Sequence, residues 1–174
     1  MIFKLSPEFY FKAFDEVNVS FLKEQGIEYI FTDVDNTLEP YENAKPGTRV
    51  LNWLKELDKN DIKVAIISNN SRERIDIFNQ ELGLVAYSKA KKPMKKFILL
   101  AMEKTGATVK NSIFIGDQIF TDVLAAHNVG IKAVLVPPIK DKTDLFTKFK
   151  RLLEKPILYK LKNYKQNGAE GSNK

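Results

Sequence analysis

Residues Glu28 to Leu38 read EYIFTDVDNTL, and this stretch decides the fold. Tyr29, Ile30 and Phe31 form a short apolar run of β-forming residues, the pattern of a strand buried on both faces of a parallel sheet. The run stops at Asp33 and Asp35, followed by Asn36 and Thr37. At the carboxyl end of such a strand the chain enters the crevice where open α/β sheets bind their ligands. Two carboxylates this close repel unless a cation or a proton lies between them. A hard, oxygen-liganded ion such as Mg²⁺ suits that position. The plainer reading is an Asx-rich turn after a strand, and the stretch alone leaves both open.

Outward from this stretch, strands and helices alternate. On the carboxyl side, Pro46-Gly47 opens a helix to about Asn60, with Val50, Trp53, Leu54 and Leu57 at helical spacing. KVAIIS (Lys63–Ser68) is a second buried strand, and Ser71 caps a helix that Gly83 stops. Val85–Tyr87 is a weak strand leading into the basic turn at Lys89–Pro93, and a helix is expected from about Met94 to Thr105. Ser112–Ile115 is another strand, Thr121–Asn128 a helix, and Ile131–Val136 the last strand. On the amino side, Asn18 and Gly26 bound one short helix, and Ser6-Pro7-Glu8 reads as the start of another carrying Phe9, Tyr10, Phe11 and Phe14. Strands alternating with helices of about ten residues imply βαβ units, hence an α/β fold with one parallel sheet flanked by helices.

At 174 residues, 44% apolar and 29% charged, the chain has the make-up of one globular domain with a full core. Without cysteine it can form neither a disulfide framework nor a thiolate metal site. It lacks a run of about 18 apolar residues, and MIFKLSPEFYF lacks the apolar core of a signal peptide. A cytoplasmic enzyme is the simplest expectation. Acids and bases balance over residues 1–137, so the net charge of +6 falls in residues 138–174.

Asp33 and Asp35, Ser68, and Asp117 each follow the last apolar residue of a different strand. In a parallel sheet these ends share one edge, so the side chains can converge, and Lys92 can reach the same edge from its loop. Carboxylates, a hydroxyl and a lysine suit phosphoryl transfer, in which cationic groups neutralise the equatorial oxygens while a nucleophile attacks in line. Any one of these residues alone has a plain explanation as a strand-end polar group.

DVDNT at Asp33–Thr37, the hydroxyl of IISNN at Ser68, the lysine of KKP at Lys92, and GDQIFTD at Gly116–Asp122 resemble, in order, the four motifs of the haloacid dehalogenase (HAD) superfamily, which has a Rossmann-like fold. The resemblance implies Asp33 as a nucleophile forming an aspartyl-phosphate and Asp35 as general acid, then base. It implies Mg²⁺ held by the carboxylates of Asp33 and Asp117 and the main-chain carbonyl of Asp35. Ser68 and Lys92 would bind the phosphoryl group with Asn69 beside them. Asp122 would orient Lys92 or a metal-bound water, and Thr37 would be a supporting donor. Lys92 is preferred to Lys89 and Lys91 because the family's lysine commonly precedes a proline; Lys89, Lys91, Lys95 and Lys96 read as a solvated face. His127 reads as a polar residue at a helix C-terminus rather than a catalytic base.

Residues 37–46 and 68–92, where HAD phosphatases insert cap domains, are too short here to hold one. An open crevice follows, able to admit a bulky phosphate on a protein, a nucleic-acid end or a lipid headgroup. The segment from Leu5 to Asp15, GIEYIFTDVDNTLEPY from Gly26, and GDQIFTDV resemble more narrowly the YqeG family of HAD subfamily IIIA, which is similar to phosphatidylglycerophosphate phosphatases. Residues 1–165 are thus expected to form a single phosphatase domain, with a basic helical segment at 140–165 and a disordered tail at 166–174. The basic segment reads either as a final helix packed on the sheet or as an interfacial helix drawn to anionic lipid at roughly 1 kcal/mol per nearby Lys or Arg. A Mg²⁺-dependent phosphatase acting on phosphatidylglycerophosphate or another membrane-proximal phosphate is the favoured reading. A protein or nucleotide phosphatase and a non-catalytic phosphoryl-binding module are the alternatives. Nucleic acid is not an expected partner, and the sequence is silent on oligomeric state.

Overall fold

The computed structural model describes residues 5–140; the expected basic helix and tail lie outside them. Among the described residues, six strands form one all-parallel sheet. In chain order these are β1 (Phe9–Tyr10), β2 (Tyr29–Thr32), β3 (Lys63–Ile67), β4 (Val85–Tyr87), β5 (Ser112–Gly116) and β6 (Lys132–Leu135). In space the order is β1-β6-β5-β2-β3-β4. The chain winds from β2 outward to β4, then returns to the other side of β2 for β5 and β6. The direction therefore reverses between β2 and β5, the switch point at which ligand crevices open in such sheets.

Strand residues alternate strictly between two cores. Ile30, Ile66, Ile113 and Ile115 face one side, packed by α1 (Val19–Glu24), α2 (Thr48–Asp58) and α3 (Arg72–Asn79) through Leu22, Trp53, Leu57, Ile75 and Phe78. Phe31, Ala65, Ile67 and Phe114 face the other, packed by α4 (Lys96–Thr105) and α5 (Leu124–Val129) through Ile98, Ala101, Ala125 and Ala126. Burying both faces is what makes these strands apolar throughout. The Trp53 indole keeps its one donor satisfied by giving it to the Val17 carbonyl at 3.0 Å.

Helix starts follow the capping residues. Asn18 accepts the Phe21 amide at 3.0 Å and Ser71 the Arg74 amide at 3.2 Å. Gly106 and Gly130 end α4 and α5 with φ of 79° and 92°, which side chains disfavour.

The amino-terminal expectation is corrected. Phe9 and Tyr10 form an edge strand pairing with Val134 and Leu135, not a helix. Phe9 and Phe11 pack on Phe21 with ring centroids 4.9 Å away in both cases, while Tyr10 turns to the opposite core. That is a period of two, which three consecutive aromatics satisfy as well as a helical period. The Glu8 carboxylate, expected in a first helical turn, instead accepts the Ala133 amide of β6 at 2.7 Å.

Candidate active site

The site lies where β2, β3 and β5 end. Asp33 follows β2, and its amide donates to the Ile115 carbonyl at 3.1 Å, extending the ladder by one residue. The Val34 amide donates to Asp33 Oδ1 at 2.9 Å, which leaves Oδ2 toward Lys92. Asp117 follows β5, and Thr37 donates its hydroxyl to Asp117 Oδ1 at 3.3 Å. Asp33, Asp117 and Asp122 are buried, and each offers a carboxylate oxygen within 4.8 Å of the others.

Lys92 Nζ, 1% exposed, stands 3.0 Å from Asp33 Oδ2 and 2.8 Å from Asp122 Oδ1. Burial alone would push its ammonium down, but the charges of Asp122 and Asp33 outweigh it and hold the group above the ordinary lysine value. The other Asp122 oxygen accepts the Gln118 amide at 3.0 Å, so both are in use. Asp122 thus serves Lys92, while Asp33 and Asp117 keep ligand capacity. Three carboxylates against one ammonium leave two negative charges uncompensated, a balance that fits a divalent cation with oxygen ligands.

The backbone builds this arrangement closely. At Gly116 any Cβ would overlap the Asp122 side chain, so the glycine lets the π-helix at Ile119–Val123 fold against β5. Lys89 and Lys91 have φ of 47° and 54°, and they alternate with buried Ala90 and Lys92. Of the clustered lysines, Lys92 turns inward; Lys89, Lys91, Lys95 and Lys96 are exposed. The Ala90 and Lys89 amides donate to the Ser68 and Asn70 carbonyls, both at 2.9 Å, joining the lysine loop to the end of β3.

Ser68 is buried at the end of β3, its Oγ accepting the Asn70 amide at 3.1 Å. The Asn69 side-chain amide, expected beside the phosphoryl group, clamps the Lys92 main chain. Its Oδ1 accepts the Lys92 amide at 2.7 Å and its Nδ2 donates to the Lys92 carbonyl at 3.3 Å.

Asp35 stands apart from the acidic group. Its Oδ1 accepts from Arg74 Nε at 3.2 Å and lies 3.1 Å from Nη2, and its Oδ2 accepts from Asn70 Nδ2 at 2.8 Å. Neither Arg74 nor Asn70 emerges from the motif reading. One signal was present. Arg74 sits three residues after the cap of α3, where the helix dipole disfavours a cation, so it calls for a carboxylate partner. His127 is remote from this edge and meets both Glu8 carboxylate oxygens at 3.1 Å.

Residues 10–136 match the haloacid dehalogenase-like hydrolase family. The chain is 34% identical over 156 residues to the Probable phosphatase YqeG of Bacillus subtilis, covering 90% of this chain and 91% of that one. The chain belongs to the HAD-like hydrolases, in the YqeG phosphatase family. A more distant relative is the phosphoglycolate phosphatase of Agrobacterium fabrum, 28% identical over 68% of this chain and 52% of that protein. Among solved structures, the cobalt-bound deoxy-D-mannose-octulosonate 8-phosphate phosphatase of Haemophilus influenzae superposes with a TM-score of 0.53 at 20% identity, over 67% of this chain and 81% of that one. That likeness carries the fold. This HAD phosphatase has, among its described residues, no helix long and apolar enough to cross a membrane.

Proposed function

We propose that this phosphatase hydrolyses phosphomonoesters in two steps with Asp33 as nucleophile. The observation that carries the reading is the buried set of Asp33, Asp117 and Asp122 against the single ammonium of Lys92 at the sheet's switch point. Asp33 attacks phosphorus while the bond to the leaving oxygen breaks, and that oxygen takes a proton from Asp35. Water then attacks phosphorus of the aspartyl-phosphate and gives its proton to Asp35. The bond to Asp33 breaks, and inorganic phosphate and the free carboxylate result. Lys92 and the Ser68 hydroxyl hold phosphoryl oxygens, and Asn69 fixes the Lys92 main chain.

Mg²⁺ would be held by Asp33, Asp117 and the main-chain carbonyl of Asp35, and would supply neutralisation of charge on the transferring group. Asp122 keeps Lys92 aimed at Asp33, and Thr37 steadies Asp117.

The proposed substrate is phosphatidylglycerophosphate or another bulky, membrane-proximal phosphomonoester, handled from the cytoplasmic side. Two features support it. Residues 38–47, which join the acidic turn to α2, hold no inserted domain over the crevice. The excess positive charge also falls in residues 138–174, a composition attracted to anionic lipid. The test is phosphate release by the full chain from phosphatidylglycerophosphate in vesicles, lysophospholipid, nucleotide and phosphopeptide, each with Mg²⁺ and with EDTA. Expected are lipid-selective release, loss in EDTA, and loss in Asp33→Asn of at least about 10³-fold. Release from nucleotide or phosphopeptide in preference to lipid overturns the substrate. A single stoichiometric uptake of phosphate without turnover would make the chain a phosphoryl-binding module.

A further inference from the structure

Asp35, the carboxylate on which both proton transfers depend, is held by groups from outside its own loop. Arg74 bridges three parts of the molecule at once. Its Nε and Nη2 meet Asp35 Oδ1, its Nη1 donates to the Ala44 carbonyl at 2.7 Å, and its guanidinium lies 5.5 Å from the Phe78 ring centroid. The side chain is 12% exposed, and its partner Asp35 is 6% exposed. A planar fork engaged on three sides has little rotational freedom, so it fixes what it touches. Asn70 closes the other side of the same carboxylate by donating to Oδ2. The cation also stands in the first turn of α3, where the dipole opposes it and the pairing with Asp35 offsets the cost. The exposed Arg49–Asp15 pair also has a fork and a ring contact, but its arginine is 60% exposed, so burial sets the Arg74–Asp35 pair apart.

We propose that Arg74, seconded by Asn70, is a positioning residue that sets where the Asp35 carboxylate stands, and that the Ala44 contact makes the loop after Asp33 part of the same unit. This rests on the two-step reading above. Acid–base catalysis depends on placing the carboxyl group within hydrogen-bond reach of the leaving oxygen and then of the attacking water. The first step can dispense with that proton when the leaving group is a stable anion. The second step cannot dispense with the base. Loss of positioning therefore slows breakdown of the aspartyl-phosphate more than its formation from an activated ester.

The experiment is stopped-flow hydrolysis of p-nitrophenyl phosphate with Mg²⁺ by the full chain. It compares wild type, Arg74→Ala, Arg74→Lys, Asp35→Asn and the double variant Arg74→Ala/Asp35→Asn, with circular dichroism to verify folding. For Arg74→Ala, one equivalent of nitrophenolate is expected in a burst. Steady turnover should then be about 10²-fold below wild type, with KM falling by a similar factor and kcat/KM nearly unchanged, because kcat/KM reports the formation step that is spared. Arg74→Lys should recover part of the loss, because a point charge restores attraction but not the fork. The double variant should be no slower than Asp35→Asn alone, since both changes remove one function.

A burst that shrinks in proportion to the steady rate means a fraction of dead protein and overturns the proposal. So do an effect on KM alone, which would make Arg74 a substrate contact, and additive losses in the double variant. If wild type itself turns over no phosphomonoester, the two-step reading falls and takes this inference with it. If wild type turns over and Arg74→Ala matches it, only the inference falls.

Discussion

Lys92 and Glu8 are both ionic residues that join separate segments of the sheet, yet they sit in opposite surroundings. Lys92 lies at the centre of the carboxyl edge, 1% exposed, between carboxylates that are 10% and 1% exposed. Glu8 lies at the outer edge where β1 meets β6, its side chain 41% exposed beside His127. At the centre there is almost no water to replace a lost partner. At the edge water can do so. Burial rather than bond count should therefore decide how much each group matters.

The comparison is most easily broken at Lys92. Lys92→Met keeps the length of the side chain and removes the charge, leaving Asp33 and Asp122 buried against each other. The expected loss is about 3–5 kcal/mol of stability, measured by urea unfolding in EDTA at neutral pH. Turnover should be lost as well. An unfolding midpoint close to wild type would mean that the centre is as well solvated as the edge, and burial would not be the deciding variable.

Gly116→Ala sharpens the same contrast without touching a charge. The added methyl overlaps the Asp122 side chain, so Asp122, and with it Lys92, must shift. Overpacking of this kind costs about 1–3 kcal/mol, and a displacement near 1 Å at the site costs on the order of 10²-fold in kcat. Comparing kcat with thermal melting separates the two effects. Normal kcat in a destabilised protein would mean that Lys92 keeps its place independently of Asp122.

Legibility in the sequence follows the same division between local and through-space causes. The four central strands could be read because each is a short β-forming run, a pattern generated by burial on both faces, and in β2, β3 and β5 a polar residue follows close behind. Asp33, Ser68 and Asp117 could be put on one edge because parallel strands end on one side. β1 is not legible, since a two-residue edge strand is too short for its period of two to be told from a helical one and Ser6-Pro7-Glu8 carries every local mark of a helix start. The clamp of Asn69 on the main chain of a second loop has no mark in the local sequence. Arg74 pairs with a residue 39 positions away, and only its place in the first turn of a helix hinted at the need. Pairings between loops are decided by the packed sheet, which local patterns do not encode.

Glu8→Gln tests the edge, where the smallest effect is expected. Burial raises the Glu8 carboxyl's pKa. The hydrogen bond with His127 and the Ala133 amide outweigh that and hold it below the ordinary value of 4.5. A carboxylate depressed in the folded state contributes stability that is complete above the unfolded pKa and fades as pH falls through the lower folded one. The glutamine still offers an oxygen to Ala133 but no charge. With Glu8 this exposed, the difference from wild type at pH 7 should be under about 1 kcal/mol. Unfolding curves measured down the acid range should converge below the folded pKa of Glu8, once wild type is protonated there too. A gap that persisted at the most acid pH would mean that the variant loses something other than charge at this edge. A gap above about 3 kcal/mol at pH 7 would put the edge on the footing of a buried pair and erase the difference between the two regions.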